Sequence, residues 1–181
     1  MRRAKKEISD RSVIEGLLQD CAVGRLGTAG PDGWPMVKPL NFVYHDGRIY
    51  FHTAKEGEKI DHIRRDNRVC FEADQPVAYV RGTRENPCTA EYLYRSVIVK
   101  GRAAIVEDER ERIDALSALM EKYQPDGGYG AFLPEKLAIT GIVRIDIESM
   151  TGKQDLGREQ HRQAVEEALR NGAVQPVVLE P

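Results

Sequence analysis

A hydroxyl and two ammonium groups, from Thr53, Lys55 and Lys59, fall in the short span 52–59, where a strand gives way to a helix. The strand ends in Phe51-His52-Thr53-Ala54, and the helix opens near Gly57. Backbone N–H groups at a helix start point outward and carry partial positive charge. With a hydroxyl and ammonium groups beside them they form a cradle suited to a phosphate. The competing explanation is an ordinary strand–helix junction with solvated lysines. By period-two alternation His52 shares a face with Tyr50 and opposes Ile49 and Phe51. An imidazole there can exchange a proton near neutral pH, and beside a phosphate cradle it is a candidate to face a ligand. Arg95 shares a strand face with Leu93, Val97 and Val99. A charge among apolar residues must be paired, reach an anion, or snorkel to solvent.

Other common chemistries lack their signatures. No G-x-G-x-x-G follows a first strand and no Walker loop is present, which excludes the usual nucleotide folds. G-x-S-x-G is absent as well. The acidic run Glu107-Asp108-Glu109 sits at a helix start, where capping accounts for it. Cys70 lies in an apolar strand and is expected in the core. Cys21, Cys70 and Cys88 are odd in number with no C-x-x-C pair, which fits a reducing cytoplasm rather than a disulfide framework. The four histidines, His45, His52, His62 and His161, show no metal-ligating spacing, so no metal site is expected.

The 181 residues are 41% hydrophobic and 31% charged, a globular profile with enough chain for one substantial core. A net charge of −2 argues against a nucleic-acid binder working by bulk electrostatics. Apolar runs are too short to span a membrane. The start MRRAKKEISDR has no apolar segment behind it, so it does not read as a signal peptide. A cytoplasmic protein is expected.

The elements that must position these groups read as mainly β. Ser9 or Asp10 caps a short helix whose apolar face is Val13, Ile14, Leu17 and Leu18. Strand-like CAVGRLGTA (21–29) leads through a turn at 30–33 to a second strand, 34–44, interrupted by Pro35 and Pro39. Proline removes a ladder donor, which places that strand at an edge or bulge with unpaired backbone nearby. His45-Asp46-Gly47 makes a hairpin into strand 48–53, followed by a helix at 57–66 with Ile60 and Ile63 inward. Further strands are expected at 67–73, 91–106 and 138–150, with a loop or broken strand at 75–90. The strand 91–106 is apolar on both faces, as suits a barrel wall that also meets a partner. Asp108 caps a helix with the stripe Ile113, Leu116, Leu119, Met120 and Tyr123, and a Gly/Pro-rich loop spans 125–134. Residues 157–172 are compatible with a helix, but its apolar face (Ala164, Val165, Ala168 and Leu169) is thin, as in a docked arm or a frayed tail. The expected fold is a small barrel of six antiparallel strands, since closure removes sheet edges. The expected organisation is a split-barrel domain at 1–155 and a helical arm or tail at 156–181.

The run PMVKPLNFVYHDGRIYFHTAKEGEKIDHIRRDNRVCFEAD, with the later YRSVIVKGRA and SMTGKQD, resembles the flavin-binding split-barrel proteins related to pyridoxamine 5′-phosphate oxidase. Within them it is most similar to the nitroimidazole-resistance (nitroimidazole reductase) branch, over residues 8–155. The resemblance implies a homodimer of six-stranded antiparallel split β-barrels with FMN at the subunit interface. It implies that Val37, Lys38, Pro39, Leu40 and Asn41 lie along the isoalloxazine. His52, Thr53, Ala54, Lys55 and Lys59 would meet the phosphate, Arg95 and Ser96 would reach across from the other subunit, and Gly152-Lys153 is the late motif. It also implies a role for His52 near the flavin in the reduction chemistry. The oxidase's serine-arginine-lysine phosphate motif reads Gly57-Glu58-Lys59 here, and its pyridoxal-phosphate-binding C-terminal residues have no match. The resemblance therefore does not extend to vitamin B6 oxidation.

The implied activity is an FMN-dependent oxidoreductase that passes electrons from a nicotinamide nucleotide to a small electron-poor acceptor such as a nitroaromatic. Two alternatives stay open at this point. One is a non-catalytic flavin or haem-binding stress protein, and the other is a reductase of the same fold that uses a deazaflavin.

Overall fold

The computed structural model describes residues 4–171 and 176–180. Among them the chain order is β1 (Glu7–Ile8), α1 (Arg11–Asp20), β2 (Gly24–Ala29), β3 (Pro35–Leu40), β4 (Val43–His45) and β5 (Arg48–Ala54). Then come α2 (Glu58–Arg65), β6 (Arg68–Val80), β7 (Glu91–Ile105), α3 (Glu109–Tyr123) and α4 (Pro134–Ile139). β8 (Thr140–Asp155), α5 (Arg162–Arg170) and β9 (Val177–Leu179) complete it. Contacts divide the chain into two compact units. Residues 22–72 and 98–150 make one; residues 4–21, 73–97 and the described residues from 151 onward make the other. β6, β7 and β8 are long enough to contribute residues to both.

The strands hydrogen-bond in the order β3-β2-β6-β7-β8-β5-β4. In the unit of residues 22–72 and 98–150, β2 pairs antiparallel with both β3 and β6, and β5 with both β4 and β8. The hairpin between β4 and β5 turns at Asp46 and Gly47, both at positive φ (49° and 74°), as the His-Asp-Gly signal predicts. α3 starts where expected: Asp108 accepts a 2.8 Å hydrogen bond from the Glu111 N–H. Its buried face is Ala115, Ala118 and Leu119, packed with Val43, Tyr50, Val106 and Ile142. The predicted stripe is rotated accordingly, and Ile113 and Tyr123 are exposed. The Tyr123 hydroxyl instead accepts from the Phe42 N–H at 3.0 Å.

That bond explains a correction. The segment expected as one strand at 34–44 is two, β3 and β4, at opposite ends of the sheet order. Asn41 and Phe42 leave the ladder between them, with the Phe42 donor taken by Tyr123. β3 is an edge strand, as its prolines require. Pro35 and Pro39 share their phase with Val37, so the strand side lacking donors is the one turned away from β2.

In the other unit, Asp10 caps α1 by accepting from the Ser12 N–H at 2.9 Å, and Ile14, Leu17 and Leu18 are buried. β1 pairs with the end of β8, setting Glu7 opposite Lys153. α5 buries Val165 and Ala168 against Val77, Ala78, Val80 and Leu93. Of the segment 157–172, Arg162–Arg170 forms the helix α5, docked by its apolar residues, and Gly172 lies outside the described residues. β6 continues through Pro76 to Val80, where a loop or break was expected, and β9 pairs with it in parallel. α4 occupies the end of what was expected as loop and the start of the last strand. Cys70, expected in the core, is exposed, because it alternates with the buried Val69 and Phe71. Along β7, Leu93, Val97 and Val99 are buried, whereas Tyr92 and Ile98 are 50% and 45% exposed. Among the described residues no helix is long and apolar enough to cross a membrane.

Candidate functional site

β5 brings the cradle residues to the start of α2. Its ladder with β8 sets His52 opposite Ile142 and Thr53 opposite Gly141. Ile49, Tyr50 and Phe51 are buried and hold the strand, while His52 at its far end is exposed. The chain then turns through Gly57 at φ 123°, a conformation that a side chain would strain, and α2 begins at Glu58. No side chain caps this helix; Gly57 supplies only its carbonyl, to the N–H groups of Ile60 and Asp61. Ile60 and Ile63 anchor α2 by burial, as predicted.

Lys59, in the first turn of α2, donates a 2.7 Å hydrogen bond from Nζ to the Thr53 hydroxyl. Its ammonium also lies 5.8 Å from the centre of the Phe51 ring. Burial holds the Lys59 pKa below the ordinary lysine value, and the positive charge of Lys38 pushes it the same way. Among the described residues no carboxylate lies within ion-pair distance of Lys59. A half-buried ammonium facing a second cation, with only a hydroxyl for a partner, is an arrangement that an anion would stabilise. Lys38 sits on the edge strand β3 opposite Leu26; Val37, Pro39 and Asn41 are exposed, and Leu40 is half-buried. The structure thus joins Lys38, Thr53 and Lys59. Lys55 makes no bond to Lys59 among the described residues and lines a cavity with Thr53, Arg64 and Arg112.

The remaining predicted residues belong to the other unit. Arg95 is half-buried on β7 and donates from Nε to Gln154 Oε1 at 3.2 Å. Burial lowers its pKa, opposed by the negative charge of Asp20. Its side-chain partner is a neutral amide. Ser96 is half-buried beside it, and on β8 Lys153 holds its ammonium 5.3 Å from the Tyr94 ring. Gly152 has a packing reason of its own: a Cβ there would lie 2.7 Å from Ile14 Cγ1.

Several polar groups escaped the sequence argument. Gln154 follows Lys153 directly in the SMTGKQD motif, and that adjacency was the available signal. Arg112 comes from α3, and no local spacing ties it to Lys55 or Arg64. The His45 Nε2 lies 3.0 Å from Asp114 and 3.8 Å from Asp46, so ligand-type side chains meet at the hairpin although no histidine spacing announces it. His62 is buried, with Nδ1 3.0 Å from the Thr28 hydroxyl.

The family model for pyridoxamine 5′-phosphate oxidase matches residues 10–154, and the chain belongs to that family. Among solved structures it is similar to a candidate 5-nitroimidazole antibiotic resistance protein from Bacteroides thetaiotaomicron. Identity is 25%, the TM-score is 0.72, and the match covers 82% of this chain and 86% of that one. An FAD-binding protein from Mesorhizobium loti is 26% identical with a TM-score of 0.57, over 81% of this chain and 95% of the other. The flavocytochrome Anf3 from Azotobacter vinelandii shares the fold at 18% identity and a TM-score of 0.75, over 90% and 77% of the two chains. No curated protein matches the chain. The fold is the mainly β split barrel of this family, as expected from the three separated motifs.

Proposed function

We propose that the protein is an FMN-binding flavoprotein oxidoreductase, working as a cytoplasmic homodimer. It would pass electrons from a nicotinamide nucleotide to a small electron-poor acceptor such as a nitroaromatic. The observation that carries this reading is the Lys59–Thr53 pair at an uncapped helix start, half-buried, with Lys38 close enough to disfavour its charge. Those residues fit a phosphate monoester. The names of similar structures, an FAD-binding protein and a 5-nitroimidazole resistance protein, support a flavin and a nitroaromatic acceptor.

Bound FMN would supply hydride acceptance and onward electron transfer. The chain's own part is narrower. Lys59 and Thr53 bind the phosphate, with the free N–H groups of the first turn of α2 beside them. Lys38 supplies positive charge for the flavin ring, with residues 37–41 alongside it. His52, exposed at the end of β5, holds or moves a proton for the acceptor.

The test is to purify the protein, identify any released ligand by mass, and add FMN to the apoprotein. The flavoprotein is then mixed anaerobically with NADH or NADPH and with a nitroimidazole. FMN binding with reduction and acceptor-dependent reoxidation is the expected result. FMN that binds but is never reduced would leave the non-catalytic flavin- or haem-binding alternative. A co-purifying deazaflavin would replace FMN as the cofactor.

A further inference from the structure

A cavity of about 290 Å³ opens at the Thr53–Lys55 strand end, with Thr53 and Ala54 in its lining, wholly within the unit of residues 22–72 and 98–150. Its floor is apolar: Ile60, Ile142 and Val143 are essentially inaccessible, and Val106 is 6% exposed. Its rim carries three cations, Lys55, Arg64 and Arg112, against one carboxylate, Glu107. Arg112 is fixed, since its Nη2 donates to the carbonyls of Leu137 at 2.6 Å and Thr140 at 2.9 Å. Its other guanidinium nitrogens have no partner among the described residues. Among the described residues Arg64 is held only by a surface contact of 3.7 Å to Asp61, which competes weakly for its charge. At Gly141 a Cβ would stand 3.3 Å from the carbonyl oxygens of Thr53 and Ala54, so the glycine lets β8 run close to β5 beside the cavity.

We infer that this cavity binds a small organic carboxylate, its charged end met by Arg112, Arg64 and Lys55 and its apolar body resting on Ile60, Val106, Ile142 and Val143. The site goes beyond the flavin reading. Its volume falls just below the usual range for drug-sized ligands, which suits a compact acid and not a flavin nucleotide. A guanidinium anchored through one nitrogen keeps two donors in a fixed plane, the geometry a carboxylate accepts. The apolar floor selects for a body that a bare inorganic anion lacks.

The test uses benzoate as the probe, with acetate as the charged end alone and benzyl alcohol as the body alone. Binding is followed by titration of backbone amide signals in the full chain. Benzoate is expected to saturate and to shift the amides of Lys55, Val106 and Gly141, with both partial probes at least about tenfold weaker. Arg64→Ala should weaken benzoate about fivefold, and Glu107→Gln, which removes the opposing charge, should tighten it. Both side chains are surface groups, and melting temperature checks that each variant folds. FMN affinity is measured in parallel and should not change in Arg64→Ala. No saturable benzoate binding, shifts elsewhere, or changes of the same sign in both variants would overturn the inference. Benzoate binding in a protein that takes no FMN would leave it standing while the flavin reading falls.

Discussion

Lys59 and Thr53 are joined by a 2.7 Å hydrogen bond across the turn from β5 to α2, and neither brings a negative charge to the other. An ammonium that has given up part of its hydration for one hydroxyl is preorganised for an anion that can accept from both. Lys59→Ala should therefore weaken FMN by about 1.5–3 kcal/mol, the usual range for a hydrogen bond to a charged group. Riboflavin has no phosphate and should bind wild type and variant alike. Fluorescence titration with both ligands separates the cases. An equal loss for riboflavin would move Lys59 from the phosphate to the ring or to the fold.

The same lysine sets a pH dependence. Burial, then Lys38, holds its pKa below the ordinary 10.5. In the apoprotein the protonated form is disfavoured relative to the unfolded chain. It costs stability at neutral pH, and that cost is relieved as pH rises through the folded pKa toward 10.5. For the complex the sign reverses, because phosphate needs the ammonium. FMN affinity should fall as pH rises through the Lys59 pKa of the free protein. Arginine stays protonated well above that range, so Lys59→Arg should flatten this alkaline limb. Dissociation constants measured across the alkaline range for both proteins decide it. Superimposable limbs would assign the dependence to another group.

Local chemistry was the legible part of this chain. Asp10, Asp108 and the Asp46-Gly47 turn each act through neighbours a few residues away, and each does what its sequence context predicts. The cradle was legible for the same reason, since Thr53 and Lys59 are six positions apart. Pairings set by distant partners were not. Pro76 looked like a strand end, yet it falls between the stretch of β6 paired with β2 (70–72) and that paired with β9 (78–80). The missing N–H is thus placed where neither ladder runs. Phe42 leaves the sheet because Tyr123, far along the chain, takes its N–H. The rotation of α3's buried face brings the small residues Ala115 and Ala118 in beside Leu119, against β4 and β5.

Gly152 offers a test that separates packing from ligand binding in the Gly152-Lys153 motif. Its missing side chain leaves room for Ile14 and Ile8, which a Cβ would meet at 2.7 and 3.0 Å. Gly152→Ala should destabilise by about 1–3 kcal/mol, the common cost of overpacking a core. Denaturant unfolding measures it. An unchanged midpoint with lost cofactor would show that the glycine serves the ligand rather than the core.

Arg95 bears on oligomeric state. Its burial with a neutral amide partner, on a strand where Tyr92 and Ile98 remain half exposed, fits a charge completed by a cofactor held mainly by a second copy of the chain. Dimerisation and FMN affinity should then be linked, so that FMN shifts the monomer–dimer equilibrium toward dimer. Arg95→Ala should weaken both. Sedimentation of apo and FMN-loaded protein over a dilution series is the measurement. A monomer that binds FMN at full affinity would refute the shared site.

His52 is exposed at the end of β5, directly before the threonine that meets Lys59. Among the described residues its ring makes no hydrogen bond that holds the strand, which is fixed instead by its ladder with β8 and by the buried Ile49, Tyr50 and Phe51. Loss of the imidazole should leave the cradle intact. An imidazole near a flavin can deliver a proton as an acceptor gains electrons, whereas hydride arrival from a nicotinamide needs none from the protein. His52→Asn keeps a polar side chain of similar reach that cannot act as an acid near neutral pH. FMN content and the rate of reduction by the nicotinamide nucleotide should stay near wild type, and reoxidation by a nitroimidazole should slow by about 10²-fold, the lower end of general-acid contributions. Stopped-flow spectroscopy resolves the two half-reactions. Wild-type rates in both would make His52 a bystander, and equal slowing of both would place it on the flavin rather than on the acceptor.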